Sequence, residues 1–409
     1  MTLPNQTPGD LRLSNFAARW RVPFGILFTA AMVGAAFIFV FTISQYPRGE
    51  GCRDVLVDFC VFWSAAKLAM DGQVMSVFSQ DLIAQFGTME SAGWAPWLHP
   101  AATLLALYPI GAMEMQIAWA LFTGLSVLAM LIAARPFTAP HTPIWTSFAL
   151  APAVMPALII GQFTMLWMAG LLAALWQLRE GRKVAAGVLI GLLTLKPTLG
   201  ILIPVALLAA KEWKVIIFAS ATTIGINIVA SLLFGFSYWP ELLNTYAEHK
   251  DWLLVELSGL QQMGSPAALL ASLGVTSDTA VLLQGLLLPI LALWVFWVWR
   301  QDIEFDRKAA LLCAALPLST PYLWHYDAGL VLLSGLFLLR AGQLDRSVLG
   351  VIALCLLCFG PGLRTWMSLL TPWDVPHSAW ITVPMMSLAL LLCLRPVRST
   401  PQQPLERTT

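Results

Sequence analysis

From Phe24 to Arg395 the sequence is a succession of apolar runs, most of them 15 to 23 residues long, joined by polar connections of which all but two are short. About 20 consecutive apolar residues suffice to cross the hydrocarbon core of a bilayer. A water-soluble domain has no interior large enough for so many such segments, so the runs point to a polytopic membrane chain. Composition agrees: charged residues are 11% of the 409, against about 25% in soluble globular proteins. Hydrophobic residues make up 58% and mean hydropathy is +0.76. These values exclude a soluble multi-domain enzyme, a disordered chain and a fibrous repeat. Net charge is +1, which leaves no bulk field to attract nucleic acid. The lipid bilayer is the partner the composition demands, and the 18 Trp suit its interfaces.

The runs fall at 24–46, 97–112, 114–134, 142–160, 161–179, 184–195, 197–210, 213–235, 280–299, 309–323, 326–340, 347–363 and 378–395. The pair 184–195 and 197–210 is broken at Lys196-Pro197 and reads as two half-helices meeting inside the membrane. Seventeen of the 23 Lys and Arg share one set of connections, and only Arg48, Arg53, Lys67, Lys196, Lys250 and Arg364 fall elsewhere. The positive-inside rule places the seventeen in the cytoplasm. The alternation closes if 97–112 is short or re-entrant, giving about twelve transmembrane helices with both termini cytoplasmic. The expected organisation is a cytoplasmic N-terminal segment, 1–23, a single membrane domain, 24–395, and a disordered cytoplasmic tail, 396–409. The opposite face carries loops at about 47–96 and 236–279, with smaller turns at Gly161-Gln162, Trp324 to Asp327 and Arg364 to His377. Arg12, Arg19 and Arg21 before the first long run, with no small-residue cleavage site after it, fit a retained first helix rather than a signal peptide.

Four cysteines, Cys313, Cys355, Cys358 and Cys393, lie in apolar runs and read as small buried hydrophobes. Cys52 and Cys60 share the first outward loop, and the sequence leaves a disulfide between them open.

The segment Asp58 to Gly72 has the pattern of an amphipathic helix. Phe59, Phe62, Trp63, Ala66, Ala69 and Met70 form one apolar stripe, Asp58 stands at the N-cap position and Gly72 is a C-terminal stop. Such a helix is expected along the outer interface, apolar face down. Asp58 is then either a helix cap or a general base at the lip of a cavity, and the two roles are compatible; Asp54 is a weaker second carboxylate. Lys196 is a charge inside a membrane segment, which marks it for function: it either snorkels to the surface or meets a phosphate beside the backbone groups freed at the helix break. Arg48 and Arg53 are further cations for that phosphate. His325, in Pro321-Tyr-Leu-Trp-His-Tyr-Asp327, either holds a leaving phosphate, orients Asp58 or is structural. Gln162, His99, Trp324 and Tyr326 face the same side and are candidates to line a substrate. The sequence has no phosphate-binding Gly-rich loop, no HExxH and no outward D-x-D, so neither a cofactor nor a metal is expected.

In these residues the chain resembles the glycosyltransferase family 87 membrane enzymes. Asp58-Phe59 with Phe62-Trp63, Ala65-Ala66 and Gly72 resembles the family's opening motif. Trp97-Leu-His-Pro100 with Leu107-Tyr-Pro109 is similar to its Tyr-Pro-Pro segment and later proline. Gly161-Gln162, Arg182, Ala186-Gly187, Gly191, Lys196-Pro197 and Lys211-Glu-Trp213 follow its central block, and Ser319-Thr-Pro321 with Trp324-His325-Tyr326 its late motif. The resemblance spans roughly 55–330. It implies an all-α, GT-C-type fold in the bacterial inner membrane with an extracytoplasmic active site. It implies a polyprenyl-phosphate sugar, typically mannose, as donor and a hydroxyl of a glycolipid or glycan as acceptor. It puts the base at Asp58, the late histidine at His325 and the Lys-Pro at Lys196-Pro197. His99 stands where a tyrosine is usual, and one histidine where a pair is common. A transporter or flippase of lipid-linked sugars is the competing reading, since broken helices and a buried lysine suit it too.

Overall fold

The computed structural model describes residues 7–20, 25, 26, 29, 33, 58–79, 97–138, 151–259, 261–344, 347–370 and 376–395. Among them the chain is helical throughout, and its only extended pairing is the isolated antiparallel bridge between Met263 and Trp324. Among the described residues four helices are long and apolar enough to cross a membrane: Met115–Thr138, Trp213–Phe234, Ser277–Arg300 and Val348–Met367. A 24-residue helix such as Ser277–Arg300 is about 36 Å long, enough for a hydrocarbon core of about 30 Å. Two of these helices turn most of their apolar surface outward. Ile217, Ile224, Ile228 and Leu232 of Trp213–Phe234, and Leu282, Leu286, Ile290 and Leu293 of Ser277–Arg300, are exposed, an arrangement suited to lipid rather than water.

Several other helices are shorter and interrupted. Lys183–Leu192 gives way to a 3₁₀ turn at Leu193–Leu195; Lys196 follows, then a second turn at Pro197–Leu199 and the helix Ile203–Ala209. Proline cannot donate to the helix ladder, so the regular pairing of the carbonyls before it is lost, and Leu193 O accepts from Lys196 N at 3.1 Å instead. Side chains supply replacements: Trp167 Nε1 donates to Leu193 O at 2.9 Å, and Thr103 Oγ1 to Leu195 O at 2.7 Å. The 97–112 segment is a short helix, Ala101–Leu107, continued by a 3₁₀ turn, Tyr108–Ala112. Segment 236–279, expected as an extracytoplasmic connection, carries the 22-residue helix Tyr238–Gly259, the helix Pro266–Ser272 and the start of Ser277–Arg300.

The helix expected after Asp58 is present as Phe59–Met70. It ends as the sequence predicts, with Gly72 at φ +75° and Gln73 N donating back to Leu68 O at 2.8 Å. It does not rest on a lipid surface, however. Nine of its twelve residues are buried, packed against Tyr108–Ala112 and under Trp97, Trp119, Phe122 and Phe163. A side chain at Gly111 would place its Cβ 2.6 Å from Ala66 O, so this glycine permits the close approach. Cys60 is disulfide-bonded; Cys313, Cys355, Cys358 and Cys393 are free, with Cys313 and Cys358 buried. Cys52 and Asp54 lie outside the described residues.

A polar knot closes the bundle at the end remote from Asp58. Arg340 is fully buried and donates to Asp10 Oδ1 at 2.8 Å, Asp306 Oδ1 at 3.1 Å and Phe137 O at 2.6 Å. Arg12 reaches Glu304 at 2.7 Å, and Arg179 lies over the Phe137 and Trp176 rings. The N-terminal helix, residues 8–20, is thereby tied to this end, with Leu13, Phe16 and Ala17 inserted in the core.

Candidate functional site

At the opposite end the helix breaks and turns converge. Phe59 N donates to Ile160 O at 2.9 Å, which fastens the start of the Phe59–Met70 helix to the end of Met155–Ile159. The chain reverses there at Gly161, φ +72°, where an added Cβ would sit 2.5 Å from Phe59 Cβ. Only glycine suits both the backbone and the space. The reversal presents Gln162, whose Nε2 donates to Asp58 Oδ2 at 2.5 Å. Asp58 therefore makes no side-chain cap to its helix: its carboxylate turns across to Gln162, with the Tyr326 hydroxyl directed at it as well. Enclosure by protein pushes the Asp58 carboxyl above the usual carboxylate range. The Gln162 hydrogen bond and the Lys196 charge act against that shift, and the charge of Asp327 with it.

Lys196 does not snorkel. Its Nζ lies 2.6 Å from Asp327 Oδ1 and 5.0 Å from the centre of the Tyr326 ring. Asp327 is only 1% exposed, and its Oδ1 also accepts a hydrogen bond from Thr164 Oγ1. A buried charge needs a partner of opposite sign, and here the partner is supplied by the protein. One cation thus stands among two carboxylates, Asp58 and Asp327, rather than free to meet an anion.

Trp324, His325 and Tyr326 are held by the strip 261–264. His325 N donates to Gln262 O at 3.0 Å and Gly264 N to Leu323 O at 2.6 Å. Trp324 and Tyr326 rings stack in parallel planes, 6.1 Å between centres, and the His325 ring meets Tyr326 edge-on at 5.2 Å. His325 is buried and its Nδ1 has no partner among the described residues. Burial, helped by the Arg364 charge, lowers its pKa to about 3, so the imidazole is neutral near pH 7 and acts as a hydrogen-bonding group, not as a cation. His99 stands to one side, its ring 5.4 Å from Phe62 and 4.9 Å from Trp97, while its carbonyl accepts from the Tyr238 hydroxyl at 2.9 Å. Burial lowers its pKa to about 3 as well. Arg48 and Arg53 lie outside the described residues.

The structure thus brings Asp58, Gln162, Lys196, Tyr326 and Asp327 into one cluster, with Trp324 and His325 beside it and His99 behind Phe62. Sequence reasoning passed over Asp327, Thr164 and Arg364. Asp327 had a signal: a lysine in a membrane segment calls for a counter-ion, and an acid stands in the Trp324 to Asp327 turn itself. Thr164 carried none, since a threonine in an apolar run looks like any other.

No curated protein and no solved structure matches this chain. The model of glycosyltransferase family 87 matches residues 97–321, which is 225 of the 409. That stretch includes His99, Gln162 and Lys196 and ends on either side before Asp58 and before Trp324 to Asp327. With its all-helical, membrane-spanning body and a match over more than half its length, the chain belongs to glycosyltransferase family 87.

Proposed function

We propose that this glycosyltransferase moves a sugar, mannose or another hexose, from a polyprenyl-phosphate donor to a hydroxyl of a lipid or glycan acceptor on the extracytoplasmic face of the bacterial inner membrane. The observation that carries the reading is the Asp58 carboxylate, fixed by Gln162 and set beside Tyr326 and the Lys196–Asp327 pair. A carboxylate oriented by its neighbours and partly shielded from water is a competent general base. In the reaction the acceptor oxygen forms a bond to the anomeric carbon, its proton passes to Asp58, and the bond from that carbon to the phosphate oxygen breaks, with the electron pair leaving on the lipid phosphate. Attack from the face opposite the leaving group inverts the anomeric centre.

Lys196 acts on the base through its charge and His325 adjoins Tyr326, but their roles are not those of free cations. Lys196 orients Asp58 and Tyr326 through its charge, and neutral His325 offers a ring nitrogen. Arg364, whose charge acts on His325, joins Arg48 and Arg53 as a cation for the developing phosphate charge. An apolar donor tail would enter between helices, which accounts for a site embedded in a membrane body.

The test is transfer of radiolabelled sugar from polyprenyl-phosphate mannose, and from glucose and arabinose analogues, into the lipid and glycan extract of host membranes. Asp58→Asn, at equal expression, is expected to lower transfer by about 10²–10⁴-fold, the usual consequence of losing a general base. Undiminished transfer by the Asn variant removes Asp58 from the chemistry. Movement of lipid-linked sugar between leaflets with no new glycosidic bond identifies a transporter instead.

A further inference from the structure

The remote end of the bundle holds a cavity that the transfer reaction does not use. It encloses about 220 Å³ between the ends of four elements: Trp294 and Trp297 from Ser277–Arg300 with Gln301 just after it, Arg307 from Phe305–Ala315, Gln343 beyond Val331–Arg340, and Cys393 at the end of Ala379–Leu392. Ser277–Arg300 starts near the strip that holds His325 and runs about 36 Å away from it, so this cavity and the Asp58 cluster lie at opposite ends of the membrane body.

Two polar groups on the cavity wall lack partners. Gln343 is 3% exposed; its Nε2 donates to Cys393 O at 2.7 Å and to Arg395 O at 3.3 Å, which fixes the orientation of the amide. Its Oε1 accepts no hydrogen bond among the described residues. The Arg307 Nε–H has no acceptor either, and Arg307 is in no ion pair among the described residues. The other acids near it are engaged, Glu304 by Arg12 and Asp306 by Arg340. Arg300 and Lys308 stand close by in the chain, and of the acids there only Asp302 is in no ion pair among the described residues. One wall is indole, with Trp297 largely exposed, the side chain that favours the headgroup level of a bilayer. A vacant cationic donor, a vacant acceptor and an aromatic wall at one interface call for a ligand carrying both an anion and an O–H.

We propose that this cavity binds the headgroup of an anionic phospholipid bearing a hydroxyl, its phosphate on Arg307 and its hydroxyl on Gln343 Oε1. Basic pockets between membrane helices on the cytoplasmic side are suited to such headgroups. The occupant is a structural lipid of the inner leaflet, separate from any donor or acceptor at the Asp58 end.

The test is native mass spectrometry of the full chain, purified and delipidated in detergent, then titrated with phosphatidylglycerol or phosphatidylcholine; the latter has no O–H and no net charge. Phosphatidylglycerol is expected to bind at least roughly tenfold more tightly, the scale of one charge-assisted hydrogen bond. Arg307→Gln should reduce it to the phosphatidylcholine level. Gln343→Met should narrow the preference while leaving a monodisperse protein, and Arg300→Gln, outside the cavity wall, should change it less than Arg307→Gln. Equal binding of the two lipids, or an Arg307→Gln variant that keeps the preference, overturns the assignment. Displacement of the lipid by glycerol phosphate at equal concentration overturns the lipid as occupant, since the headgroup alone would then suffice.

Discussion

A lysine in the middle of an apolar sequence is a liability until its counter-ion is known. In this chain the counter-ion is Asp327, 2.6 Å from Lys196 Nζ and further held by Thr164. Removing one member of such a pair leaves a buried charge alone, at a cost of about 3–5 kcal/mol. Lys196→Met should therefore lower thermal stability in detergent markedly, and the double variant Lys196→Met with Asp327→Asn should recover much of the loss. Additive losses in that cycle would show that the two side chains do not act as a pair. A second prediction concerns Asp58. Because enclosure raises its pKa and the proposed base must be ionised, activity is expected to fall as pH drops through a value above the ordinary carboxylate pKa of about 4. The acidic limb of kcat/KM against pH, which reports the free enzyme, is the measurement. Replacing Asp327 by Asn removes a negative neighbour and should move that limb to lower pH; a limb that stays put separates Asp327 from the base.

At the scale of elements, the site depends on glycines and prolines that interrupt helices. Gly161 reverses the chain at φ +72° with Phe59 pressed against it, and the reversal is what carries Gln162 to Asp58. Gly161→Ala adds a Cβ where neither the backbone nor the space accepts one, at a cost of about 1–3 kcal/mol. It should lower sugar transfer more than thermal stability alone would account for, because Gln162 and Asp58 move apart. Activity per folded molecule, measured beside the melting temperature, tests this. Both interruptions were legible in the sequence, as Gly161-Gln162 and as Lys196-Pro197. The packing of Phe59–Met70 was not: its apolar stripe was read as a face for lipid, but Gly111 and the aromatic side chains around it enclose the helix in protein. A stripe records that a face is buried, not what buries it.

The whole molecule separates the Asp58 cluster from the buried Arg340 knot. Arg340, fully buried, binds Asp10, Asp306 and the Phe137 carbonyl at once, so the N-terminal helix is locked to the far end of the bundle. Arg340→Met strands two carboxylates and should free residues 8–20 to protease, with little change in KM for either sugar substrate, because the Asp58 cluster lies across the membrane body. Limited proteolysis of the purified variant, read against wild type, is the check.

The sequence by itself determined that this is a helical membrane chain, which connections are basic, where the helices break and which motifs resemble a glycosyltransferase family, because hydropathy, charge and proline or glycine act locally along the chain. The tertiary structure alone decided that the Asp58 carboxylate leaves its own helix for Gln162, that Lys196 is spent on Asp327, and that His325 is buried and neutral. Those outcomes depend on contacts between residues tens to more than a hundred positions apart and on the loss of water around them, which no local pattern records.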